Sequence, residues 1–510
     1  MTSTTRAGIF LLVLAAGSHA LADDAARTRE RSEKWVSSLT KRDAVERFLA
    51  GWNLMSLAPG STDAILARWD AGKLANDSLV TASQALGETG AAKAVEPLAK
   101  IARDERQPSD VRVAALIAIA KIGGKDGTSA LTTIASTDAG VAGTGEILRC
   151  AALIALGMRG DPVEAKVIES ALASQDPELR RSAFRAIGFL RAQAFLPRCV
   201  KGLEDEHPLV VAEAALALAR MGDTTSAAKI EAVRAKATNP GLRFLLLQPL
   251  ALLEKKAATD ELLADLEDAG SQLQSNAATI LIELAEKRAI APLRALLKKA
   301  LEGVKVEAGA DVRAAYGLGV FKDKEAVALL VRALEKGSVE LRREAAGALG
   351  SIGAREGVAA LEATARGNDR VLRSLAVAAL GDIADPASGN DIAAALESPD
   401  PVTRYSACIA LGLLGNKKAA PLLKAMASDD HDFVSAAASE SLARLEGRAV
   451  GGDARDPTTL KRLRSLEREY LLRAQLGRLF ESYAALSARI SKDGPADVYA
   501  RIIVGYYVDT

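Results

Sequence analysis

The stretch Asp400–Gly415 reads DPVTRYSACIALGLLG, and variants of it recur along the whole chain. Asp176-Pro177 opens DPELRRSAFRAIG, Ser338 opens SVELRREAAGALGSIG, and Asp369 opens DRVLRSLAVAALGDI. The large apolar residue of each Ala-Leu-Gly-like step serves as a register mark. Marks fall at Leu86, Ile119, Leu156, Ile187, Leu218, Leu252, Ile282, Leu318, Leu349, Leu380, Leu411 and Leu442. Successive gaps are 33, 37, 31, 31, 34, 30, 36, 31, 31, 31 and 31 residues. A period this regular belongs to stacked units that each fail to bury their own apolar face and succeed together.

Within a unit the pattern is helical. Ala407, Cys408, Ala410, Leu411 and Leu414 form a stripe, and Ala183, Phe184, Ala186, Ile187 and Leu190 repeat it at the same offsets. Asp400 and Asp176 stand where an N-cap is wanted, with Pro401 and Pro177 at the first helical position. Gly415, Gly353 and Gly160 stand where the helix must stop. A shorter preceding helix, such as Ala419–Met426, fills the other half of the period. The expectation is an all-α fold, a right-handed α-α superhelix of about twelve helix pairs with helical N- and C-terminal caps.

These units resemble HEAT repeats, in the short form of about 31 residues found in bilin-lyase-like proteins. The resemblance rests on Asp-Pro-x-x-Arg…Ala-Leu-Gly-x-x-Gly, best at Asp176–Gly188 and Asp400–Gly415, and covers residues 61–447. It implies an architecture rather than a chemistry, and so a protein-binding scaffold. One enzyme with HEAT-like repeats, deoxyhypusine hydroxylase, uses paired His-Glu dipeptides to hold two irons. This sequence has no His-Glu dipeptide. The bilin-lyase likeness rests on the repeat alone and brings no pigment-handling residue with it.

Outside the repeats, Ala7–Gly17 (AGIFLLVLAAG) is a short apolar run behind Arg6, and Ala20-Leu21-Ala22 supplies a small-x-small cleavage pattern. Residues 1–22 therefore read as a signal peptide cleaved after Ala22, and the expected location is periplasmic or extracellular. The run is too short for a spanning helix, which needs about 20 apolar residues. No stable membrane insertion is expected after cleavage. Residues 23–60, with Trp35, Phe48 and Trp52, read as an N-terminal helical cap or, alternatively, an aromatic docking site. Residues 448–457 read as a linker. Residues 458–510 read as a C-terminal helical cap or a tyrosine-rich tail open to self-association, since Tyr470, Tyr483, Tyr499, Tyr506 and Tyr507 all lie there.

The period is uneven in places. Extra residues enter around Thr137–Gly145 and Gly303–Ala310, where longer loops between paired helices are expected. The units at Leu252 and Ile282 match worst, with Leu253-Glu254-Lys255 in place of a glycine, which predicts a bend or change of curvature.

The composition excludes several function classes. Lys and Arg number 66 against 65 Asp and Glu, and cleavage after Ala22 removes Arg6 alone, so the mature chain is balanced. Nucleic-acid binders show a basic excess or patch, and neither is visible. Past residue 22 the only histidines are His207 and His431, too far apart in sequence for a local metal cluster. Cys150, Cys199 and Cys408 are widely spaced without Cys-x-x-Cys, and read as apolar core thiols, with a Cys150–Cys199 bridge as the alternative. No cofactor and no catalytic, cofactor-binding or metal residue is indicated, and binding residues are not assignable. Arg112, Arg149, Arg180, Arg342, Arg373 and Arg404 each lie seven residues before a register mark. They form either an anion-binding ladder or a set of inter-repeat pairs with acids at helix starts, such as Asp176, Asp369 and Asp400; the second reading is preferred.

The function expected is a non-catalytic exported scaffold that binds a protein partner through its solenoid surface. The alternatives are a lyase-like or hydrolytic carboxylate site in the groove, and a self-associating envelope protein.

Overall fold

The computed structural model describes residues 26–447, apart from 42, 75, 137–143, 161–164, 269 and 272. The expected signal peptide, the linker 448–457, the tyrosine-rich segment 458–510 and most of the Thr137–Gly145 insertion lie outside the described residues. The fold is an all-α superhelical solenoid, and no strand occurs among the described residues. The chain divides between Asp223 and Thr224 into two units.

The first unit begins with helices at 26–38 and Ala44–Ser56. Five helix pairs follow: Thr62–Asp70 with Asn76–Thr89, Val95–Arg103 with Ser109–Ile122, Gly124–Ser136 with Thr144–Arg159, Ala165–Leu172 with Pro177–Leu190, and Leu196–Gly202 with Pro208–Arg220. One continuous core runs from Trp35, Val36 and Leu39 through Leu86, Ile119 and Leu156 to Ala186. Trp52 is buried as well.

The second unit holds seven pairs. The second helix of its first pair is broken into Pro240–Leu245 and Leu247–Leu252. Pro249 lies inside that helix and donates no N–H, and the preceding turn closes with a long bond from Leu250 N to Leu246 O, 3.4 Å. The regular pairs include Val327–Lys336 with Val339–Ile352, Val358–Ala365 with Arg370–Ile383, and Ala420–Met426 with Asp432–Leu445. Every register mark lies in the second helix of a pair.

The Ala-Leu-Gly step has a packing cause. A Cβ placed on Gly157 would lie 2.7 Å from Ala186 Cα, and one on Gly381 would lie 2.7 Å from Ala410 Cα. Gly319 meets Ala348, and Gly350 meets Ala379, in the same way. Where a glycine follows the mark, as at Gly157, Gly319, Gly350 and Gly381, it faces the alanine before the next mark, and the two backbones approach more closely than side chains allow. The mark itself points into the core: Leu318, Leu349 and Leu380 are fully buried.

Helix ends follow the expected chemistry. Asp176 and Asp400 accept hydrogen bonds from Glu178 N and Thr403 N, 2.9 and 3.1 Å, with Pro177 and Pro401 opening the helices. Gly353 and Gly415 end theirs in the left-handed region. Where the sequence lacks glycine, Glu254 and Ala285 take that conformation instead, at φ 60 and 52°. The Gly303–Ala310 insertion is a loop between paired helices, as expected. It is tied down by Glu307, whose carboxylate accepts from Ser275 N at 2.6 Å and whose N–H donates to the Gln274 side chain at 3.1 Å.

Candidate binding surface

Within each unit the second helices stack on one another, from Asn76–Thr89 to Pro208–Arg220 and from Gln274–Glu283 to Asp432–Leu445, and each packs on the first helix of its own pair. Offsets −6, −2 and +2 from the register mark lie four residues apart on one side of each second helix. In the first unit Ile117, Cys150, Arg181, Arg185, Phe189, Leu216 and Arg220 are partly exposed there, whereas Val113 and Ile154 at the same offsets are buried. In the second unit Tyr316, Val320, Gly347, Ser351, Ala378 and Asp382 are partly or fully exposed, whereas Arg343, Ser374, Tyr405 and Ile409 are buried.

The six arginines seven residues before the marks do not reach this face. Arg112 donates to Ala102 O at 2.9 Å, Arg149 to Ala135 O at 3.3 Å, and Arg342 to Leu334 O at 2.9 Å. Arg373 binds Gly367 O, and Arg404 binds Ser398 O and Pro399 O. Each guanidinium therefore caps carbonyls at or just beyond the end of the first helix of its own pair. Two also clamp an acid of the next pair: Arg180 holds Asp205 through two bonds of 2.8 and 2.9 Å, and Arg404 holds Asp429 at 2.7 and 3.0 Å. The expected inter-repeat pairing with an acid is seen for Arg180 and Arg404, and with acids other than those expected: Asp176 caps its own helix, Asp369 faces Arg343 at 3.6 Å, and Asp400 pairs with Arg370 at 2.8 Å.

His207 and His431 occupy equivalent places in the two units. Each donates its backbone N–H to the clamped aspartate two residues earlier, His207 to Asp205 and His431 to Asp429, both at 2.9 Å. Burial raises the Asp429 carboxyl, but hydrogen bonds from His431 and Arg404 outweigh it and hold the group well below the usual carboxylate range. Among the described residues no group of three His, Cys, Asp or Glu is placed to hold a metal ion. All three cysteines are free thiols, so the alternative Cys150–Cys199 bridge is absent. Burial pushes Cys199 and Cys408 up to about 12.

An open groove of about 510 Å³ lies at the irregular turns, where Leu252, Glu254, Lys256, Glu283 and Arg288 line it. Its charges are partly spent internally: Arg288 pairs with Glu286 and Asp260, and Gln248 donates to Glu283. Its carboxylates are not drawn into a facing pair.

Ion pairs also tie neighbouring second helices together. Lys121 meets Glu88 at 2.6 Å and Arg370 meets Asp400 at 2.8 Å. Around Glu213 three guanidiniums gather, Arg185 at 2.8 Å, Arg220 at 3.6 Å and Arg181 at 3.7 Å. Sequence reading did not single out this cluster. The signal was present, since one repeat period of separation makes residues about 25–33 apart spatial neighbours, as in Arg185–Glu213.

A family model described as HEAT repeats matches residues 164–251, 306–381, 361–443 and 390–474, together just over half of the chain. The chain belongs to the HEAT-repeat family. The last match continues past Gly447, where the register marks end. Several solved structures are similar to this HEAT-repeat chain. Human deoxyhypusine hydroxylase in complex with glycerol shares 20% identity, covering 63% of this chain and 96% of its own, with a TM-score of 0.24. The karyopherin Kap121p bound to the extreme C-terminus of the phosphatase Cdc14p shares 12%, covering 94% and 57%, with a TM-score of 0.37. The CpcE–CpcF complex of phycocyanin lyase from Nostoc shares 20%, covering 56% and 95%, with a TM-score of 0.24. No curated protein matches the chain.

Proposed function

We propose that this HEAT-repeat chain is a non-catalytic, exported scaffold that binds a protein partner along the partly exposed side of its second helices. The observation that carries the reading is that side itself, which mixes partly exposed Ile117, Leu216 and Tyr316 with arginines on rigid, closely spaced helices. Such a surface presents apolar area and charge-assisted donors without any ordering cost on the solenoid's side. Export rests on residues 1–22.

Capture from envelope extract, followed by cross-linking and mapping of the linked peptides, tests the binding face. Links concentrated on second helices support it; links confined to first helices refute it. Sequencing the N-terminus of the secreted chain tests export, with Asp23 as the expected first residue. A chain retained inside the cell with residues 1–22 intact refutes that part.

A further inference from the structure

Asp432–Leu445 is the last second helix among the described residues, and it packs on Pro401–Leu414 and on Ala420–Met426, the first helix of its own pair. It is less well covered than its regular neighbours. The register mark Leu442 is partly exposed, whereas Leu318, Leu349 and Leu380 are fully buried and Leu411 is 2% exposed. Six residues before the mark Ala436 is exposed, whereas Arg343, Ser374 and Tyr405 at the same offset are buried. Each of those three is met by the next second helix or its cap: Arg343 by Asp369 at 3.6 Å, Ser374 by Thr403 at 2.8 Å, and Tyr405 by the Phe433 ring at 5.7 Å. Leu422, on the first helix of the last pair, is 44% exposed. A unit without a neighbour leaves such apolar area in water, and repeat arrays cover it with an atypical terminal layer. This chain carries the material for one. Residues 448–510, outside the described part of the chain, follow directly, enough for a further helix pair at a period of 31 residues. The match to HEAT repeats runs on through residue 474. Leu460, Leu463, Leu466 and Tyr470 recur every three or four positions among charged neighbours, the sequence pattern of a helix with one apolar face. A segment tethered through 448–457 meets the last pair at an effective concentration of about millimolar, far above that of a second copy in dilute solution.

We infer that residues 458–490 of this same chain dock as a further helical layer against the free side of the last pair, with their apolar face over Leu422, Ala436 and Leu442. The inference goes beyond the scaffold reading and stands apart from it, because it concerns the end of the stack. Its test uses the full chain with Leu422→p-benzoylphenylalanine, at a position exposed enough to carry the photoreactive group without entering the core. Irradiation of the dilute, purified protein and peptide mapping should link position 422 to residues 458–490 of the same chain. The same group in place of Val45, 47% exposed in the first unit, should give no such link. Ala436→Glu supplies a second readout, because it sets a charge beneath the docked layer. Hydrogen–deuterium exchange of peptides from 458–490 should then quicken at least about tenfold, while peptides from Arg370–Ile383 keep their protection. Thermal melts by circular dichroism verify folding, and the cross-link decides alone if the glutamate form does not fold. A linked product of two chains would give the free side to a second copy and overturn the inference. Absence of links to 458–490 overturns it as well, as does exchange there that Ala436→Glu leaves unchanged.

Discussion

Gly347 and Gly350 stand three residues apart on one helix, Val339–Ile352, and offer a matched test of how the repeats stack. A Cβ on Gly347 meets nothing within 4 Å, whereas one on Gly350 lies 2.9 Å from Ala379 Cα and 3.0 Å from Ala379 Cβ. The first of these atoms is backbone of the next second helix and cannot rotate away. Replacing either glycine by alanine gains about 0.5–1 kcal/mol of helix propensity. That gain is common to both, so the difference between G347A and G350A isolates the overpacking cost, about 1–3 kcal/mol. Taking about 2 kcal/mol, the two variants should differ roughly thirtyfold in the opening equilibrium of this region. Stability in a repeat chain is set by neighbouring interfaces, so the effect belongs to helices Val339–Ile352 and Arg370–Ile383 rather than to the whole chain. Hydrogen–deuterium exchange read by mass spectrometry resolves those peptides separately. G347A should slow exchange and G350A should quicken it there. Equal protection in the two variants would falsify the claim that a glycine after the mark sets the helix spacing.

Other consequences are more local. R404Q strips the partner from Asp429, whose side chain is 6% exposed, and frees the carbonyls of Ser398 and Pro399; unfolding of this region should become easier by about 3 kcal/mol, measured by urea titration. Because the folded Asp429 carboxyl titrates below its unfolded value, the stability it contributes is complete above about pH 4 and is lost as the pH falls further. D429N should therefore be less stable at neutral pH and show a shallower acid loss, and an unchanged acid profile would refute the role given to this carboxylate. Cys199 and Cys408, with thiols pushed up to about 12 and buried, should stay unlabelled by a disulfide reagent at pH 8 in the native chain. All three cysteines should label in urea, and fast native labelling of Cys408 would contradict its place in the core.

The repeat was legible because its determinants are short-range. Asp400-Pro401 caps, Leu411 and the closing Gly415 sit within one helix, so spacing alone reveals them. The missing glycine at Glu254 was legible for the same reason, and the structure puts a left-handed Glu254 there; the helix break at Pro249 was not singled out from the sequence. The partners of Arg180 and Arg404 were harder, because three or four acids lie within reach of each period and only the rotation of one pair against the next selects among them. Asp205 and Asp429 win because each precedes the capping histidine by two residues, where the turn brings its carboxylate under the preceding arginine.

The same geometry explains how a chain with balanced charge gathers several guanidiniums around one acid. A 31-residue register repeats positions, not signs, so a cation at −2 or +2 meets whatever stands one period away. At Glu88 and Lys121 the offsets carry opposite charges and cancel. At Ile187 they carry Arg185 before the mark and Phe189 after it, and at Leu218 they carry Leu216 and Arg220. Glu213, one position off that side of its helix, therefore has three guanidiniums within 3.7 Å, two of them from the preceding second helix. Net charge near zero says nothing about such local groupings, because it sums over the chain what the register brings together one period at a time.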